Sequence, residues 1–321
     1  MSFLQSLLSD STYKINKDNP NGSLVLISEG ILEWQPKNAN LANGPDRLIL
    51  SCGIHGNETA PIEILDKIVQ DINTEKLNAS RSSLFIFGHI PAMKAQQRFI
   101  DFNLNRLFSG EYSKHLDAIE SKRAQEIESA CNQFLRGCLN PCHLDLHTAI
   151  RSSHHKRFAV FPLQKRKSLT TFEKSLLSSL GIEAVLHANE TAKTFSHFSA
   201  NTYEATSFTL ELGKVEPFGK NELQSFQEVT STLEDLLCGN LIKEKEKLLN
   251  YLVVDELIKD HKDYEFLIDE NYANFTPLMP GQPIERTIGG ERLAKDGESI
   301  VFPNKDVPIG QRTGLIVKAI F

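Results

Sequence analysis

Three side chains of metal-binding types stand in a pattern that only a folded chain can close. His55 and Glu58 lie three residues apart in S-C-G-I-H-G-N-E, and His147 follows far downstream in D-L-H-T. Two imidazoles and one carboxylate form the ligand set of a catalytic zinc, which takes three protein ligands and keeps a fourth position for water. Gly53 and Gly56 flank His55, allowing a sharp turn and a close ligand approach. The competing reading makes His55 a hydrogen-bonded turn residue and Glu58 an acid that favours a helix N-terminus. The strand-end histidine at 147 shifts the balance toward one bound zinc.

A zinc hydrolase also needs a group to take and return a proton. Glu211 in T-L-E-L-G-K sits among Phe208, Leu210 and Leu212, where an acid is costly unless paired or functional. Glu204 and Glu216 remain alternatives, and a paired structural role for Glu211 is the competing reading. Asp145 shares a strand face with His147. There it either orients the imidazole from the outer shell or bonds loop backbone. His143, one pair further back, reads as a satisfied core or surface histidine. Q-Q-R-F-I-D-F-N-L-N-R supplies Arg98, Asn105 and Arg106, and guanidiniums grip carboxylates through paired hydrogen bonds. Arg151 is a further anion contact to consider, whereas His154-His155-Lys156-Arg157 reads as a solvated loop.

The elements that must position these groups alternate. A hairpin turning near Glu29-Gly30 precedes a strand at Arg47–Ser51, the glycine-rich turn, and a helix from about Pro61 to Gln70. A second buried strand at Leu84–Gly88 and a charged helix over Lys114–Leu135 follow. Further strands are expected at 143–147, 158–161, 184–187 and 207–212. Leu223, Phe226, Val229, Leu233 and Leu236 then mark the core face of a helix stopped by Gly239. Alternating strands and helices predict an α/β layered fold. After K-E-K-E-K the chain turns to short strands at 251–254, 265–268, 300–302 and 314–320, between Pro/Gly-rich turns. The expected division is therefore a catalytic domain over 1–242 and a smaller β-rich domain over 243–321.

Composition narrows the function class. With 40% hydrophobic and 24% charged residues, the chain has material for a substantial core. A net charge of −6 gives no general attraction for nucleic acid or anionic membranes, so a small anionic substrate must be met by local basic groups. The N-terminus lacks a basic, long-apolar leader pattern, and no apolar run reaches membrane-spanning length. Five scattered cysteines fit reduced thiols and a cytoplasmic location. Cys131, Cys138 and Cys142 lack the paired spacing of a metal cluster.

G-I-H-G-N-E, N-L-N-R, D-L-H-T and L-E-L-G, in that order over residues 50–215, resemble the zinc carboxypeptidase superfamily. Within it the likeness is to the aspartoacylase and succinylglutamate desuccinylase branch. H-G-N-E-T-A-P-I-E, D-L-H-T-A-I-R and the C-terminal F-P-N…G-x-x-x-G-L pattern lean toward the desuccinylase side. The resemblance implies zinc on His55, Glu58 and His147, Glu211 as general base and acid, and Asn105, Arg106 and Arg98 on a substrate carboxylate. It implies a mixed, mainly parallel sheet flanked by helices, followed by a β-rich domain that narrows access to the site. The implied reaction is hydrolysis of N-succinyl-L-glutamate to succinate and glutamate, the last step of arginine breakdown through succinylated intermediates. Aspartoacylases carry an arginine shortly before the catalytic glutamate, and 202–210 has none. The alternatives are an aspartoacylase-like or other N-acyl-amino-acid deacylase and, outside enzymes, a zinc- or anion-binding protein of the same fold.

Overall fold

The computed structural model describes residues 1–40, 42–166, 168–243, 247–269 and 271–320. Most of the K-E-K-E-K junction (244–246) lies outside the described residues. β1 (Gly22–Ser28) and β2 (Ile31–Pro36) form the expected antiparallel hairpin, with Gly30 at a φ of +74° in its turn. β3 (Arg47–Cys52), β4 (Ser82–Phe87), β5 (Pro141–Ala149), β6 (Phe158–Phe161), β7 (Ala184–His187) and β8 (Thr206–Lys214) complete the N-terminal part of the sheet. The strand order is β1-β2-β4-β3-β5-β8-β6-β7. β4, β3, β5 and β8 run parallel, while β6 is antiparallel to β8.

Helices cover both faces. Along β3, Leu48 and Leu50 pack with α2 (Thr59–Asn73) on one side, and Ile49 packs toward α4 (Ile119–Phe134) on the other. This two-residue alternation, apolar on both faces, is what a strand covered twice requires. Each fully buried Leu or Ile contributes about 1.5–3 kcal/mol, so β3 is a firm base for the turn that follows it. α1 (Phe3–Leu8), α5 (Thr171–Ser179) and α7 (Gln227–Cys238) join α2's layer, while α3 (Ile90–Ala95) sends Ile90 and Met93 into the same core and α6 (Phe195–Tyr203) lies with α4. α7 ends at Gly239, whose φ of +72° caps it.

The C-terminal part does not stand apart from this sheet. β9 (Leu249–Ile258) pairs parallel with β7 and antiparallel with the strand Arg312–Ile320, giving one twelve-stranded sheet. Val253, Leu315 and Val317 pack with Phe158 and Leu186, tying the two parts through a shared core. Among the described residues no helix is long and apolar enough to cross a membrane.

Several expected elements change in extent. The 114–135 helix begins only at Ile119, after a separate 3-10 turn at Glu111–Lys114. α1, α3, α5 and α6 were not anticipated. The 154–157 run is not uniformly solvated: Arg157 is buried and bonds Glu228 and the Ser225 carbonyl, and His155 packs on Tyr251 and Phe275.

Candidate metal centre and hydrolytic site

The turn after β3 holds two of the candidate ligands. Gly53 has a φ of +63°, in the region open to glycine. At Gly56 an added Cβ would lie 2.2 Å from the Ala92 carbonyl carbon, so α3 leaves no room for a side chain. Glu58 occupies the N-cap of α2 but makes no side-chain cap; its carboxylate turns to the site. β5 delivers His147 from the neighbouring strand.

Ligand-type atoms of His55, Glu58 and His147 lie within 4.8 Å of one another, all three residues buried. His55 Nδ1 is 2.8 Å from Glu58 Oε1. His147 Nδ1 is 2.8 Å from Glu58 Oε2. The far nitrogens are anchored: His55 Nε2 lies 3.0 Å from Asn103 Oδ1, and His147 Nε2 lies 2.9 Å from Asp145 Oδ2. Such outer acceptors fix the ring and leave Nδ1 basic toward a metal. Asp145 is itself held by Ser51 Oγ at 2.5 Å. The donor set, its convergence and its burial therefore fit a zinc ion.

Electrostatics agree. Burial disfavours a charge on His147, but Asp145 and Glu58 on either side raise its pKa well above the ordinary histidine value. Burial would also raise Glu58, and the two imidazoles outweigh it, holding the carboxyl well below its usual range. His55 falls to about 4, chiefly through burial and then the Arg98 charge, which leaves a neutral ring suited to a metal.

Glu211 stands opposite His147 in the β5–β8 register. Its Oε2 is buried without a hydrogen-bond partner. Burial, then the Glu58 charge, pushes its pKa up to about 7, against the pull of His147 and Arg98. That is the poise a group needs to accept and return a proton near neutrality. The alternatives separate cleanly. Glu204 is exposed and paired with Lys165, and Glu216 is exposed in a loop.

The anion-binding candidates are less uniform than expected. Arg98 Nη1 lies 2.7 Å from Glu58 Oε1, on a candidate metal ligand. Asn105 Oδ1 accepts the Phe195 N–H at the start of α6, leaving its amide NH2 to offer. Arg106 is open to solvent, with its Nη1 on the Asn105 carbonyl. Crowding by protein, then Arg312 and Arg98, lowers its pKa to about 9, as expected where guanidiniums gather for an anion. His143 is a satisfied core group between Ser51 and Ser199. Sequence reasoning missed Asn103, which sits inside the quoted F-N-L-N-R segment, and Ser51 and the Thr148 N–H, which bonds Glu58 Oε2 at 3.1 Å. Only proximity across strands reveals them.

Residues 44–237 match the succinylglutamate desuccinylase/aspartoacylase catalytic domain, and 246–320 match the AstE/AspA barrel-sandwich hybrid domain. A succinylglutamate desuccinylase of Pseudoalteromonas atlantica is 40% identical over 91% of this chain and 85% of its own, and one of Shewanella denitrificans is 38% identical over 89% and 85%. The crystal structure of succinylglutamate desuccinylase from Vibrio cholerae superposes with a TM-score of 0.91 at 34% identity, covering 99% of this chain and 94% of that one. Murine aminoacylase 3 shares the fold, at a TM-score of 0.57 and 20% identity over 87% of this chain and 96% of its own.

Proposed function

Because the chain belongs to the succinylglutamate desuccinylase/aspartoacylase family, we propose that it is a zinc-dependent amide hydrolase converting N-succinyl-L-glutamate and water to succinate and L-glutamate. The observation that carries the hydrolytic part is Glu211, a buried, unpartnered carboxylate with a pKa near 7, opposite His147 in the sheet. A protein that only binds metal or anions has no use for it there.

His55, Glu58 and His147 would hold one zinc per chain. When bound, the metal acidifies water and polarises the scissile carbonyl. Asn103 and Asp145 keep the two imidazoles oriented. Glu211 removes the proton from the attacking water as the new C–O bond forms. It then delivers that proton to the glutamate nitrogen as the C–N bond breaks. Asn105 and Arg106, with Arg98 beside them, hold a substrate carboxylate so that the amide meets Glu211 in a reactive pose. The division into a catalytic unit over 1–242 and a β-rich unit over 243–321 is supported by the two family matches.

The relatives' shared name supports the succinyl substrate, and with it a place at the end of arginine breakdown through succinylated intermediates. The substrate is a small carboxylate-bearing N-acyl amino acid, not nucleic acid, in keeping with a net charge of −6, and five free cysteines support a cytoplasmic setting. The test compares N-succinylglutamate, N-acetylaspartate and N-acetylglutamate with the zinc-loaded protein. Succinylglutamate should be turned over far the fastest; a preference for either acetyl compound would remove the substrate assignment.

A further inference from the structure

Just beyond Glu211 the sheet becomes irregular. β5 and β8 run in regular register from Cys142 opposite Thr206 to His147 opposite Glu211, but the next pair is Ala149 with Lys214. β8 thus accommodates one extra residue, with Gly213 at a φ of +149° inside it. In an unbroken strand 211 and 214 would point to opposite faces. The bulge turns the later side chain back, placing Lys214 on the face of Glu211. The surroundings agree: Ala149, Glu211 and Lys214 together line a cavity of about 690 Å³. Lys156, Lys220 and Arg151 add positive charge to its wall, partly balanced by Glu216 and Glu222. The Lys214 side chain makes no hydrogen bond or ion pair among the described residues. Arg98 and Arg106 do not line this cavity, so the molecule has two separate basic regions near one carboxylate.

We propose that the cavity is an acyl-group subsite in which Lys214 binds a carboxylate at the far end of the acyl chain while Glu211 serves the amide. This rests on the amide-hydrolase reading above and adds the residue that selects the acyl group. Three C–C bonds separate a succinyl amide carbon from its terminal carboxylate, a span of roughly 4 Å. Lys214 stands one residue pair past Glu211, roughly 7 Å along the strand, and its flexible stem can reach back over that difference. Arg106 and Asn105 are then left for the carboxylates of the glutamate portion. An acetyl group offers nothing to the ammonium, so the lysine favours acyl groups that end in a carboxylate.

The experiment measures kcat/KM of the zinc-loaded full chain and of Lys214→Met and Lys214→Arg on N-succinylglutamate and N-acetylglutamate, with inhibition by succinate. Losing a charged hydrogen-bond partner should lower succinyl turnover by about 30- to 100-fold in Lys214→Met. The loss on the acetyl substrate should be at least about tenfold smaller. Succinate inhibition should weaken in parallel, and Lys214→Arg should recover most of both. Equal losses on the two substrates, or none on either, overturn the subsite while leaving the hydrolase standing. Wild-type protein that cleaves neither compound overturns the hydrolase reading and the subsite together.

Discussion

Replacing Glu211 by Gln should make the metal-free protein more stable while destroying its activity. The carboxyl is desolvated and faces the Glu58 and Asp145 charges from α2 and β5, against the attraction of His147 and Arg98. Its pKa moves from 4.5 to about 7, so the folded protein holds this proton more tightly than the unfolded chain does. Stability from this group is therefore lost as pH rises through that window: the effect is absent below about 4.5 and complete above about 7. At about 1.4 kcal/mol per tenfold change in proton affinity, the loss comes to about 3 kcal/mol at pH 8. Gln keeps the shape without the charge, so any fixed cost of burying its amide does not vary with pH. Urea unfolding of chelator-treated wild type and Glu211→Gln at pH 5 and pH 8 reads the difference. The variant should gain about 2–3 kcal/mol relative to wild type between the two pH values. The zinc-loaded variant should keep its metal and lose about 10²–10⁴ in turnover. A stability gap that does not change with pH would refute the desolvated, charge-crowded setting, and full turnover would remove Glu211 from the mechanism.

Two further substitutions probe the supporting residues. Asn103→Ala removes the acceptor on His55 Nε2; zinc affinity, read by competition with a chromophoric chelator, should fall about 10- to 100-fold, and unchanged affinity would leave Asn103 without a role at the metal. Arg106→Lys keeps the charge but loses the paired guanidinium contact. KM for N-succinylglutamate should rise by roughly tenfold or more with zinc content unchanged, whereas wild-type KM would take Arg106 off the substrate.

Much of the candidate site was legible because ligand chemistry belongs to residue types and short-range spacing. His55 and Glu58 share one turn, and the alternation through His143, Asp145 and His147 places three side chains on one strand face whatever surrounds them. The hairpin at Gly30, the β5 strand and the end of α7 at Gly239 are likewise local, set by turn glycines and apolar period. Helices that lack such a signal escaped. α6 reads F-S-H-F-S-A-N-T-Y, with few strong helix formers, and is held by packing of Phe195 and Phe198 in the α4-side core. α5 did carry a signal, the Thr170–Glu173 capping box, which the apolar pattern alone did not expose.

By itself the sequence determined which side chains were available for metal and acid–base chemistry, and resemblance tied them to a hydrolase branch. Tertiary structure decided what each one does with its charge. Glu204, Glu211 and Glu216 are the same residue type within a dozen positions, yet only Glu211 is buried beside the triad. Arg98 lies on Glu58, Asn103 on His55, and a single extra residue in β8 turns Lys214 toward the cavity. Proton affinity and ion pairing depend on distances of a few ångströms and on excluded water, quantities that arise only when remote strands pack together.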